Sequence, residues 1–411
     1  MLGPGTILSA SRVGAGHGYR MLWVPLLSAA VLGGTAALSA RIGAALKGSP
    51  CDELAARLGR PLAGLVGVTL FLVVVGFQSS NNFAVVAALE PLLVGTEGTL
   101  STAASAAILA GLNLAVIAAV CGLRGLYAKL EGLMKVLVAV MAAAFLFNLL
   151  AVQPSLRETL SGLLPRAPIG EEVGFLPRRD AAGEIVVPLL ALQGLVATTF
   201  SVAGAFYQAY LVKEKGWGPG DGRKAGGEAV VGAAALGVMT AMILLTAAAT
   251  LHGREGGENF GSTADLAEQL RPFFGEWAVG IFATGICAGA LGSFLGNALI
   301  GGTLLADGLG KGTSLDSPWV RGFTVAALLA GGGIAGAVLA GEAEKVTAIL
   351  AAQALTVLGG PLLAAALLYL GAKTTPRPPA WTFAAAGVGL LIVLTLAVRT
   401  AWRFKLDLFA A

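Results

Sequence analysis

Charged residues in this chain only punctuate long apolar runs. A helix that crosses a bilayer needs about 20 mostly apolar residues. Runs of that kind occupy 21–44, 62–94, 101–122, 127–152, 188–213, 227–252, 276–308, 318–341, 346–371 and 380–400. Each reads as a membrane-spanning helix. A shorter apolar run at about 5–18 reads as half a span. The runs 62–94 and 276–308 exceed what a bilayer requires, which implies tilt or helical extension beyond it.

Composition strengthens this reading. The 411 residues are 56% hydrophobic and only 12% charged, against about 25% charged in soluble proteins. Glycine, at 59 residues, suits membrane helices because it lets backbones approach closely. A single transmembrane domain over 1–411 is expected. The formal net charge of +4 is spread over short loops without interleaved aromatics, so nucleic acid is not an expected partner. Cys51, Cys121 and Cys287 are isolated, and His17 and His252 are far apart, which suggests neither a disulfide framework nor a zinc site. No cofactor is expected. The N-terminus lacks the basic segment and apolar core of a cleaved signal peptide. HExxH and GxSxG motifs are missing. Gly331-Gly332-Gly333 lies inside an apolar run with no strand before it, which disfavours a dinucleotide site. An enzyme is not expected.

Loop charge sets orientation. Arg57, Arg60, Arg124, Lys129, Lys213, Lys215, Arg223, Lys224, Lys311, Arg321, Lys373 and Arg377 fall in alternate loops, hence on one side. The loop 95–100 on the other side has no Lys or Arg. The loops 153–187 and 253–275 mix arginines with acids, and the acidic 253–276 reads as a solvated face. The basic side is assigned to the cytoplasm, in a cell (inner or plasma) membrane.

Two runs are interrupted. Gly3-Pro4-Gly5-Thr6 opens the half-span, and Thr198 to Gly204 (TTFSVAG) falls midway through 188–213. Unwound backbone at membrane depth is tolerated where it lines a protein cavity. A pair of Gly/Pro-interrupted helices in the two halves of a chain points to the site of an inverted-repeat transporter. The bland alternative is that Gly and Ser simply let helices pack. Between apolar flanks lies a polar run, Gln78-Ser79-Ser80-Asn81-Asn82. Ser79 and Asn82 share a helix face and suit a wet lining, although such residues also bond helices together. Arg12 stands two turns along the half-span. An arginine at membrane depth costs roughly 2.5–3.5 kcal/mol on insertion scales, unless it snorkels to the interface.

The segment Gly3 to Tyr19 (GPGTILSASRVGAGHGY), followed by Leu22-Trp23, resembles the first helix of the Nramp-family divalent metal transporters. That helix carries an Asp-Pro-Gly-Asn break, followed at the same spacing by Gly-Tyr and Leu-Trp. Gly194 to Val212 (GLVATTFSVAGAFYQAYLV) is similar to the family's sixth helix, with its Met-Pro-His. Tyr127 to Glu131 with Met134-Lys135, Ala288 to Asn297, and Ala352-Gln353 with Pro361 add to the resemblance, which covers nearly the whole chain. It implies an all-α polytopic membrane protein of LeuT type. Two inverted five-helix repeats would occupy 1–152 and 188–371, with an extra helix at 380–400. The first helix is then incomplete, its other half expected before residue 1.

The resemblance also implies where the site lies and how it departs from the family. Gly3 stands at the metal-binding Asp, Thr6 at the Asn ligand, Ser201 at the Met thioether and Thr198 at the residue lending a carbonyl. Ala203 and Gln208 take the two histidine positions, and Ser79 and Asn82 replace two acids linked to proton movement. Pro4, Gly5 and Gln353 keep the pattern. A divalent ion needs oxygen or sulfur ligands, usually one anionic, to repay dehydration. Helices starting near Gly5 and Gly204 would instead aim positive dipole ends inward. The expected substrate-binding residues are Gly3, Thr6, Thr198, Ser201, Gln353, Ser79 and Asn82, with helix breaks at Pro4, Gly5 and Gly204; the metal ligands themselves stay open. The expected partners are a transported ion or small solute and the lipid bilayer. The resemblance implies transport of manganese, iron or magnesium by alternating access. The altered site leaves open a small zwitterionic or anionic organic solute, or a homologue that no longer transports.

Overall fold

The computed structural model describes residues 3–95, 98–122, 126–168, 174–180, 183, 185–253, 262–340 and 345–408. Arg124 and parts of the loops 95–100, 153–187 and 253–275 lie outside them. So do the side chains of Tyr127, Lys129, Glu131, Met134 and Lys135.

The first half of the chain forms α1 (Pro4–His17), α2 (Trp23–Ala45), α3 (Pro50–Leu58), α4 (Arg60–Val94), α5 (Thr102–Gly122), α6 (Leu126–Val152) and α7 (Leu156–Gly162). A two-stranded antiparallel ribbon follows, β1 (Arg178–Arg179) and β2 (Ile185–Val186). Then come α8 (Leu190–Thr199), α9 (Val202–Glu214), α10 (Gly222–Thr250), α11 (Thr263–Ala267), α12 (Arg271–Phe274) and α13 (Ala278–Gly308). The chain continues through α14 (Pro318–Ala340), α15 (Lys345–Leu355), α16 (Gly360–Lys373) and α17 (Ala380–Leu408). Among the described residues, 9 helical segments are long and apolar enough to cross a membrane.

Burial separates centre from periphery. The most apolar stretch of α2 is 72% buried and that of α8–α9 is 67%, while α5 and α14 reach 28% and α17 only 22%. The exposed faces of the last three carry Leu114, Leu329, Leu391 and Val398, as lipid-facing helices should. One apolar cluster gathers Ile7, Leu8, Phe83, Leu244 and Ile286 around α1. Another gathers Leu38, Ile42, Phe206, Leu363 and Leu367 around α2, α9 and α16.

Close backbone approach holds the centre together. A Cβ on Gly43 would come within 2.6 Å of Ala209 Cα, so α2 and α9 touch backbone to backbone. Gly67 and Gly308 do the same for α4 and α13, each Cβ falling 3.1–3.2 Å from the other's Cα. Without a hydrophobic force between helices in lipid, such small-residue contacts supply the packing.

Two spans are broken. The span 188–213 divides into α8 and α9 at Phe200 and Ser201, whose backbones leave helical geometry (φ/ψ of -102/73 and -82/103). Gly204, expected as a break, lies inside the first turn of α9; Ser201 caps that turn, and its Oγ accepts from Gly204 N at 3.1 Å. The span 346–371, expected to be continuous, is divided by a 3₁₀ turn at Thr356–Gly359. Pro361 has no N–H to give the Val357 carbonyl, so the α-helical ladder cannot pass through this point.

Candidate functional site

The start of α1 follows from its sequence. Gly3 is the N-cap and Pro4 the first helical residue, where a missing N–H costs nothing. The far end of α1 meets α7, where a Cβ on Gly162 would fall 3.0 Å from the Tyr19 carbonyl carbon. That is the end at which α8 begins after the loop, so α1 and α8 run antiparallel. A Cβ on Gly194 would sit 2.9 Å from Ser9 Oγ. Both helices rise 1.5 Å per residue. Five residues onward in α8 and five back in α1 therefore bring Thr199 and Pro4 to the same level. The two breaks face each other there.

The tenth-span break joins them. Gln353 is 2% exposed and lies directly against Gly5, where any Cβ would overlap its amide. Its Nε2 donates to Ser80 Oγ at 2.6 Å, and its backbone carbonyl accepts from Thr356 Oγ1 at 2.7 Å. Thr356 in turn lines a small cavity with Phe77, Ala197, Phe200, Ser201 and Ala203. Its volume of about 20 Å³ holds roughly one water-sized group.

Hydrogen bonding divides the polar atoms into two sets. Thr198 Oγ1 donates back to the Gly194 carbonyl at 2.9 Å, and Ser201 Oγ is engaged as the α9 cap. By contrast, Ser9 Oγ, Thr199 Oγ1 and Gln353 Oε1 are buried without a partner. Buried polar atoms are nearly always paired, and an orphan calls for an explanation. Because Nε2 is committed to Ser80, the atom Gln353 leaves unpaired is a carbonyl oxygen, which accepts.

The expected residues are not all in one place. Thr6 is buried on the first turn of α1, and a Cβ on Gly3 would lie 2.9 Å from Ser293 Oγ of α13. Ser79 bonds back to the Val75 carbonyl at 3.0 Å. Asn82 bonds to the Gln78 carbonyl at 2.8 Å and accepts from Asn113 of α5 at 2.7 Å. Gly331 of α14 packs on Gln78 and the Ser79 backbone. Asn82 thus turns toward α5, Ser79 folds back on its own helix where α14 crosses it, and the residue of that run that bonds to Gln353 beside the α1 break is Ser80. Arg12 is partly buried along α1. Ser80 and Thr199 lay inside the polar run and the interruption that the sequence marks without being distinguished from their neighbours, and Ser9 carried no signal beyond being a hydroxyl in an apolar helix.

At the lysine- and arginine-rich end, a second polar cluster joins α3, α4, α9 and α13. Asp307 of α13 is 1% exposed and accepts from Ser49 Oγ and from Tyr210 OH, each at 2.7 Å. Ser49 Oγ also accepts from Asp52 N at 3.0 Å as the cap of α3. Arg60 donates to the Asp307 carbonyl at 3.2 Å and pairs with Asp52 at 3.3 Å. Cys51 Sγ stands 3.3 Å from Tyr210 OH. Burial, and then the Asp307 charge, push its thiol well above the ordinary value.

Over residues 1–403 the chain matches the family described as natural resistance-associated macrophage protein-like. It belongs to that family, the Nramp transporters, and is a multi-pass membrane protein of their fold. Solved structures agree. The Eremococcus coleocola manganese transporter, in complex with an aromatic bis-isothiourea substituted compound, is similar with a TM-score of 0.71 at 17% identity. That match covers 97% of this chain and 82% of that one. Two single-residue variants of the same transporter give TM-scores of 0.70 and 0.69 at the same identity and coverage. No curated relative matches the chain by sequence.

Proposed function

We propose that this chain is a secondary transporter that carries a divalent cation by alternating access, binding it weakly and with most of its water retained. The single observation carrying this reading is the donor set at the meeting breaks. It consists of neutral oxygens, with Gln353 Oε1 left unpaired, and Thr356, bonded to the Gln353 carbonyl, lines with Ser201 a space for one water-sized group. An unpaired carbonyl oxygen suits a cation, and the small volume suits an ion rather than an organic solute. Membership of the Nramp family and the fold shared with manganese transporters support the same substrate class. Gly3, Thr6, Thr198, Ser201 and Gln353 are the proposed contacts, with Pro4 and Gly5 making room for them. Ser79 and Asn82 would act through helix packing around Ser80.

Among the described residues, no group of three or more His, Cys, Asp or Glu side chains converges to hold a metal ion. A bare manganese ion, which needs charge to replace its water, is therefore poorly served. Magnesium dehydrates reluctantly and keeps several waters, so it fits the neutral set better. Coupling to protons is not proposed, because the family's acid and histidine positions hold Ser79, Asn82, Ala203 and Gln208, and a relay needs groups that titrate.

A second reading has its own observation. The N-termini of α1 and α9 both open at the breaks, and helix N-termini favour anions. A zwitterionic solute bearing a carboxylate would use them. Flux into proteoliposomes decides between the two. Magnesium uptake exceeding that of any amino acid in a panel, without acidification of the lumen, is the expected result. Uptake of an amino acid but of no divalent ion would replace the first reading by the second. Micromolar manganese binding by calorimetry would overturn the weak-affinity claim. Substrate-dependent acidification that persists in His17→Ala would overturn the claim about protons.

A further inference from the structure

At the end opposite the lysine- and arginine-rich loops, α17 carries Arg399, which is only 2% exposed. Its guanidinium is held in a fixed orientation. Nε donates to the Phe175 carbonyl at 2.7 Å, and Nη1 donates to Gln193 Oε1. The charge also lies 6.0 Å from the centre of the Phe175 ring. Gln193 is fixed in its turn, its Nε2 donating to Thr400 Oγ1 at 2.7 Å and to the Ala354 carbonyl at 3.3 Å. Every partner of Arg399 is thus neutral. Among the described residues no carboxylate pairs with it, and Nη2 has no partner at all.

A buried arginine is normally paired, because an isolated charge in a low-dielectric setting is costly. Arg399, Gln193, Thr400 and Arg403 line one cavity with Ala351 and Leu355 of α15. Its volume of about 100 Å³ holds several water-sized groups. The cavity is thus lined on one side by cations and donors and on the other by apolar surface. It touches α8 and α15, two helices that each end at a break.

We propose that this cavity binds an oxyanion, the phosphate or carboxylate group of a ligand, with Arg399 as its charged anchor. Gln193 and the Phe175 carbonyl position the guanidinium, and Thr400 positions Gln193. With Nε and Nη1 each already donating, the guanidinium keeps the Nη2 donors, and charge-assisted N–H donors of this kind are what oxyanions accept. The group could come from an outer-leaflet lipid headgroup or from a free anion, and the two share this chemistry.

The test uses the full chain, delipidated in a neutral detergent, and reads thermal unfolding. Inorganic phosphate, acetate and phosphatidylglycerol are compared with chloride and with phosphatidylcholine at matched ionic strength. A bound anion raises the unfolding temperature by mass action, here by on the order of 2–5 °C at saturation. Stabilisation by phosphatidylglycerol alone identifies a lipid headgroup. Stabilisation by phosphate or acetate identifies a free anion. The increment should vanish in Arg399→Gln, survive in part in Arg399→Lys, and remain whole in Lys373→Gln at the opposite end. If Arg399→Gln does not fold, Thr400→Val should weaken the response about tenfold in anion concentration. No response of the wild-type chain to any of the three anions overturns the proposal. A full increment retained in Arg399→Gln or in Thr400→Val overturns it as well.

Discussion

The polar cluster at the breaks and the polar cluster around Asp307 differ in kind. At the breaks the groups are neutral, and Ser9 Oγ, Thr199 Oγ1 and Gln353 Oε1 go without partners. Around Asp307 both carboxylate oxygens are occupied, Ser49 bonds in two directions, and Arg60 bridges α3 and α4 to α13. A saturated network fixes one arrangement of its helices. An unsaturated one keeps capacity for something that comes and goes. Hydrogen-bond saturation, rather than charge, separates the part of this protein that holds shape from the part that would hold substrate.

The strongest way to break that contrast is to put charge where it is missing. The triple variant Gly3→Asp, Thr6→Asn, Ser201→Met restores the ligand types implied by the family resemblance. Among the described residues, the small Ser293 side chain is what stands within 4 Å of the new Cβ at position 3. A unit charge 2–3 Å from a divalent ion contributes on the order of 10 kcal/mol before desolvation, at an effective dielectric of about 20. Manganese affinity by calorimetry should rise at least about 100-fold, equivalent to ~2.7 kcal/mol. No gain would mean that cavity shape, not ligand type, controls the site.

Asp307→Ala attacks the saturated side. It strands two buried hydroxyls and should cost about 2–3 kcal/mol of stability, seen as a lower unfolding temperature in detergent. Gln353→Leu attacks the unsaturated side. It should reduce cation flux about tenfold while changing stability by under about 1 kcal/mol, the range of one ordinary hydrogen bond. If Gln353→Leu unfolds the protein, or Asp307→Ala leaves it as stable as before, the division of labour is wrong.

The smallest effect concerns Cys51, which is buried beside Asp307 and Tyr210. Its thiol keeps its proton in the folded chain above the pH at which an unfolded thiol, near 8.5, loses it. The unfolded state then binds fewer protons, so stability is present below about pH 8.5 and declines above it. Maleimide labelling of Cys51, which needs the thiolate, should be slow at pH 8 in the wild type and faster in Asp307→Ala. Equal rates would show that the cluster does not seal this end.

Much of the fold could be read from residues 21–44 onward, because each span is a run of apolar residues and only helices satisfy their backbone in lipid. The interruption between Thr198 and Gly204 was legible too, though not its position. Glycine suggested Gly204, whereas Phe200 and Ser201 leave the helix, because a Ser side chain can cap the next one. The break at Thr356–Gly359 hid inside an apolar run, its cause a single proline. The polar run 78–82 showed that something polar stood at depth, but not which face met which helix. Ser79 and Asn82 were favoured by family position, while Ser80 reaches Gln353. That choice depends on how α4 is rotated about its axis, which the close contacts with α13 and α14 determine.

The contact of Gly43 with the Ala209 backbone makes α2 and α9 a single lever. Helices that meet through their main chains share no layer of side chains that could slip or re-pack. Motion of α9 would therefore carry α2 with it, about the point where the helical ladder is interrupted, at Phe200 and Ser201. The lever arm is the 13 residues of α9, about 20 Å at 1.5 Å per residue. With its far end latched through Tyr210 to Asp307, a displacement of that latch would reach the fulcrum as rotation rather than translation.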